Sequence, residues 1–242
     1  MLELSGWALL AGLVNALAGG GLFFTLPALL AIGVPSTGAV ATASVASWPG
    51  YLSAFWGMRR QLGSGPWLAL TIVGLSGGGL GALTLVQFNA DSFNYLVPWL
   101  LLGVCLLYAR QLLSRSGFEG KLVMRRRAWP LLLGGSFYGG FFGGGLGVLL
   151  MALTGQLRMG SSLQQHAIKL YLSMLASGAT ILVYSLSGLV YWPACLVLAL
   201  GYLVGGKLGA RVLVWIRPQL LAWSIVAFGI GLSGYYFVRF YW

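Results

Sequence analysis

The chain has 242 residues, of which 59% are hydrophobic and only 7% charged, and its mean hydropathy is +0.89. That composition excludes a soluble enzyme or binding domain and identifies an all-α polytopic membrane protein. The net charge of +11 does not indicate nucleic-acid binding, because the basic residues fall in short connections between apolar stretches rather than on one face.

A spanning helix needs about 20 mainly apolar residues, and the sequence supplies eight such segments. The first, Trp7 to Ala31, follows no basic region and holds no convincing cleavage site, so it is expected to stay in the mature protein. It contains Asn15 and the glycines Gly19, Gly20 and Gly21. The second, Ser36 to Trp56, carries Thr42 and Ser44. The third, Trp67 to Gln87, holds GGGLGA at Gly77 to Ala82, and the fourth, Phe93 to Leu113, holds Cys105. A basic linker at 116–127 follows. The fifth segment, Ala128 to Thr154, repeats the glycine triplet at Gly143, Gly144 and Gly145. His166 and Lys169 open the sixth, Leu163 to Leu186. The seventh, Leu189 to Leu208, contains Cys195 and GGKLGA at Gly205 to Ala210, and the eighth runs from Gln219 to Tyr241. The two cysteines have no metal or redox spacing and are expected as free thiols.

Two matches in nearly the same register indicate an internal duplication. GGGL recurs at Gly19 and Gly143, and GGGLGA at Gly77 is echoed by GGKLGA at Gly205. The halves are therefore placed at 1–115 and 128–242. A glycine within a helix costs about 1 kcal/mol relative to alanine, so the first and fifth segments are expected to break at their triplets. Each becomes either a discontinuous span or a re-entrant hairpin. If all eight segments cross, the basic residues divide nine to four between the two sides; if both broken segments are hairpins, they divide twelve to one, with only Arg239 opposed. The positive-inside rule favours the hairpins, which also invert one half relative to the other.

Helix N-termini created at Leu22 and Leu146 would attract anions at mid-depth. For GGGLGA and GGKLGA, close helix packing is the plainer explanation. Lys169 is the cation that topology leaves unassigned, about two turns inside its segment with His166 one turn before it. An intramembrane ionisable residue points to function, against the alternative that it snorkels to the surface. The only acids, Glu3, Asp91 and Glu119, fall at segment ends or in loops, which disfavours a cation pathway and suits an anionic solute. Asn15, Thr42 and Ser44 would add neutral donors, unless they only bond their own helix backbone. One histidine, no paired carboxylates and no GxSxG or HExxH motif leave no basis for an enzyme, a metal or a cofactor.

GLVNALAGGGLFFTLPALLAIGVP, followed by ATASVASWPGY and MRRQL, resembles the TauE/SafE (sulfite exporter) family of membrane transporters. Asn15, Gly19, Gly20, Gly21, Leu26 and Pro27 occupy places typical of that family, as do Gly143, Gly144, Gly145 and Lys169 in the second half. Ala43 stands where the family has Asn, Leu22 where Ser is common and Met151 where Pro is frequent. The resemblance implies a multi-pass protein of the bacterial inner membrane. It implies a secondary transporter that moves sulfite, a sulfonate or a related sulfur-containing anion by alternating access around a midplane site. The implied partners are that small anion, a coupling ion and the lipid bilayer, with a homo-oligomer left open. The alternative from the residues alone is a non-transporting membrane protein whose glycines only pack helices.

Overall fold

The computed structural model describes residues 2–17, 19–63, 65–113, 126–212 and 218–242, and among them the chain is all-helical. In order the helices are α1 (Leu2–Leu17), α2 (Leu22–Ala31), α3 (Ser36–Met58), α4 (Trp67–Val86), α5 (Ala90–Leu113), α6 (Ala128–Phe141), α7 (Leu146–Gln156), α8 (Ser162–Ser187), α9 (Trp192–Val212) and α10 (Pro218–Tyr241). A 3-10 turn at Arg59–Leu62 follows α3. Most of the linker expected at 116–127 lies outside the described residues. Among the described residues, three helices are long and apolar enough to cross a membrane, at Trp67–Val86, Ala90–Arg110 and Ser162–Ser187. Leucines at 68, 80, 186, 196 and 200 are exposed, as an outer surface facing lipid requires. Cys105 and Cys195 are free and buried.

The first and fifth hydrophobic segments are each divided in two. α1 stops where Gly19 takes φ +79°, a left-handed value that an L side chain rarely adopts. α6 stops at Phe142, whose N–H and that of Gly143 both return to the Tyr138 carbonyl at 2.9 and 3.1 Å. Gly145, at φ +71°, then opens α7. The start of α8 is fixed by a capping box: Ser161 Oγ accepts from Gln164 N at 3.3 Å, and Gln164 Oε1 accepts from Ser161 N at 2.9 Å.

Glycines set how closely these helices approach. α1 lies along α9 and runs in the same direction, Ala8 meeting Gly201 and Gly12 meeting Gly205; a methyl on Gly12 would fall 2.6 Å from the Gly201 carbonyl oxygen. α6 lies along α4 in the same manner, with Ser136 against Gly77 and Gly140 against Gly78 and Gly81. On its other side α4 meets α8, where a methyl on Gly78 would lie 2.5 Å from the Ala176 oxygen. Gly77, Gly78 and Gly81 of GGGLGA and Gly205 of GGKLGA thus serve close packing. α3 and α8 pack on one another and on α9 and α4 respectively, and residues 36–47 of α3 are buried throughout.

The turns sort to two ends. At one, Ser36 Oγ donates to Ala90 O at 3.1 Å, Gly38 faces the Leu189 carbonyl, and Tyr241 Oη donates to Tyr95 O at 3.1 Å. At the other, Gly63 lies against the Gln164 side chain, near the 3-10 turn holding Arg59 and Arg60.

Candidate functional site

α3 carries Ser44, Ser47 and Tyr51 at i, i+3 and i+7, a spacing that puts all three on one helical face. That face borders a small gap of about 10 Å³ lined also by Asn15 of α1, Ser177 of α8, Tyr202 of α9, Ala43, Gly139 and Gly143, together with Leu22 and Leu146, the first residues of α2 and α7. In this conformation the gap is narrow, wide enough for about one water-sized body. No charged side chain lines it.

The polar wall is a set of neutral hydroxyls and one amide. The Tyr51 hydroxyl lies near the Asn15 side chain, and Tyr202 Oη lies 3.4 Å from Thr25 Oγ1. Ser47 Oγ donates to the Ser44 carbonyl at 2.8 Å. Ser44 Oγ is buried and has no hydrogen-bond partner. An unsatisfied buried hydroxyl costs about 1–3 kcal/mol, and this one leaves a free donor beside the gap.

The two chain breaks meet here. Gly19 sits against Gly147, where an added methyl would come within 2.5 Å of the Gly147 Cα, and one on Gly144 would fall 2.9 Å from a Leu22 methyl. Neither α2 nor α7 has a side-chain cap. Several first-turn N–H groups are nevertheless turned onto carbonyls, Phe23 N to Gly20 O at 3.1 Å, Leu146 N to Gly143 O at 3.2 Å and Val148 N to Gly145 O at 3.0 Å. The helix ends therefore act on the gap mainly through their dipoles.

Of the residues singled out in the sequence, Asn15, Ser44 and Gly143 line the gap. Gly19, Gly20 and Gly21 lie behind it; the absent side chain of Gly21 leaves room for the Tyr202 ring, 2.6 Å from where a methyl would stand. Gly144 packs on Phe142 and Leu22, and Gly145 on Val104. Thr42 points elsewhere, its Oγ1 accepting from Tyr191 N at 2.9 Å just before α9. His166 is half-buried and Lys169 is 1% exposed, but both lie further along α8, outside the lining. Leu22 and Ala43, two of the three departures from the family pattern, line it.

Four polar lining residues, Ser47, Tyr51, Ser177 and Tyr202, are absent from the sequence-based candidates, as is Gly139. Their signal is a buried polar stripe: Ser44, Ser47 and Tyr51 on α3, and Lys169, Ser173, Ser177, Thr180 and Tyr184 on α8. Tyr202 has no such signal, standing amid the apolar residues of α9.

Residues 4–236 match the family described as Sulfite exporter TauE/SafE. The chain is 31% identical over 235 residues to the probable membrane transporter protein YfcA of Escherichia coli K12, covering 90% of this chain and 84% of that one. It is 30% identical over 234 residues to a probable membrane transporter protein of Haemophilus influenzae, covering 89% and 88%, and 25% identical over 232 residues to the probable membrane transporter protein ORF9 of a Sinorhizobium species, covering 93% and 88%. No solved structure matches.

Proposed function

The chain belongs to the sulfite exporter TauE/SafE family, its matched relatives are probable membrane transporter proteins, and from that premise we propose that it is a secondary transporter of a small anion. Sulfite, a sulfonate or a related sulfur-containing anion is the substrate class, moved by alternating access around the gap between α1, α3, α8 and α9. The observation that carries this reading is Ser44 Oγ, a buried hydroxyl without a partner in a lining free of carboxylates and facing the N-terminal residues of α2 and α7. Neutral donors and helix dipoles suit an anion that has shed its water.

The two broken segments are read as re-entrant hairpins entering from opposite faces, in halves inverted relative to each other. Supporting this, α1 runs alongside α9 as α6 runs alongside α4. Residues lining the gap also pair across the halves, Asn15 with Gly139, Leu22 with Leu146 and Tyr51 with Ser177. On this reading the Arg59 end faces the cytoplasm of a bacterial inner membrane, and His166 and Lys169 lie between the gap and that face.

The test is flux of sulfite and small sulfonates into proteoliposomes. Uptake of at least one, saturable and competed by the others, is the expected result. Absence of flux for every anion, with folded protein, would instead favour a non-transporting protein whose glycines only pack helices.

A further inference from the structure

Lys169 is fully buried, yet it does not reach the gap. Ser177 lines the gap, Ser173 stands at i−4 and Lys169 at i−8, all on one face of α8. Eight residues of helix put Lys169 about 12 Å from Ser177, toward the end where Gly63 meets Gln164. Among the side chains that the structure describes, Asp91 is the only carboxylate, and it is exposed in the first turn of α5 at the opposite end. A buried ammonium without an acid needs another source of negative charge.

Ser173 supplies a second, independent observation. Its Oγ is buried without a hydrogen-bond partner, whereas Thr71, Ser76, Thr84 and Thr154 each bond the carbonyl four residues back. The usual intrahelical outlet for such a hydroxyl is therefore unused at the position between the gap and the lysine. The matching positions of the first half, 126 residues earlier, are Ser47 and Ala43, so only one half carries the cation.

We infer that Lys169 and Ser173 form a second anion station, distinct from the central gap and on its cytoplasmic side, which receives the anion as it passes between the gap and the Arg59 end. This rests on the transport reading. The anion accepts from Ser173 Oγ and from the Lys169 ammonium, a compact donor suited to a small oxyanion, and Ser177 is the step that links the station to the gap. His166 lies one turn nearer the surface on the same helix, and Tyr184 lies on the far side of Ser177.

Two measurements test it. In Lys169→Met, sulfite flux should fall at least ~10-fold while the Kd of purified protein for sulfite changes less than ~2-fold, because the gap is intact. Tyr51→Phe, in the gap, should weaken binding itself. In the unmodified protein, cyanate, a small anion that carbamylates amines, should modify Lys169, and sulfite should slow that reaction without affecting exposed Lys207. Parallel loss of binding and flux in Lys169→Met would merge the two sites into one, and unchanged flux would make the lysine structural; either overturns the station. So does carbamylation of Lys169 that is absent or indifferent to sulfite, a result readable even where Lys169→Met fails to fold. Absence of flux in the unmodified protein defeats the transport reading instead.

Discussion

Ser44, Gly19 and Thr42 separate function from stability at single positions. Since Ser44 Oγ bonds nothing in the protein, Ser44→Ala should leave thermal stability unchanged or raise it by about 1 kcal/mol, while apparent affinity for the anion falls about tenfold. Melting in detergent alongside flux kinetics measures both. Gly19→Ala should behave oppositely. Its φ of +79° and the 2.5 Å approach to Gly147 predict a loss of about 2 kcal/mol or more, seen as a lower melting temperature. Thr42→Val removes the acceptor for Tyr191 N and should cost about 1 kcal/mol with little effect on affinity, because the hydroxyl is not in the lining. Leu22→Ser and Ala43→Asn would make the lining more polar, and a competition assay should show preference shifting from alkyl sulfonates toward sulfite.

Breaks in helices, rather than helices themselves, give this molecule its site. α1 and α6 are too short to span, at 16 and 14 residues, and each is followed by a second short helix that returns alongside it. The hairpin arrangement makes a sidedness prediction. In a background without Cys105 and Cys195, a cysteine at Ile32 should be labelled from the same face as one appended to the N-terminus, and a cysteine at Arg60 from the other. Labelling of Ile32→Cys and the N-terminal cysteine from opposite faces would make the first segment a discontinuous span. The glycine sequences GGGLGA and GGKLGA show why a repeated motif is not by itself a site. Gly77, Gly78, Gly81 and Gly205 meet backbone on neighbouring helices, while Gly79 and Gly206 face open space, and replacing Gly78 with Leu should disrupt the contact between α4 and α8.

At the level of the whole molecule, composition, the eight apolar segments, the two break points and the family were legible in the sequence, because each depends on local chemistry. Runs of apolar residues demand lipid, and Gly19, Gly143 and Gly145 take left-handed backbone angles that end a helix, whereas the triplet at Gly77 stays helical within α4. The content of the site was less legible. Asn15, Ser44 and Gly143 were found by type and position, but Tyr51 and Tyr202 come from helices 151 residues apart in the chain and meet only when α3 packs on α9. Lys169 drew attention as a buried charge, and only tertiary structure set it apart from the gap. The physical reason is that a helix surrounded by lipid on one side and apolar helices on the other is apolar on both. Periodicity then cannot say which face turns inward, and small residues at helix crossings decide it.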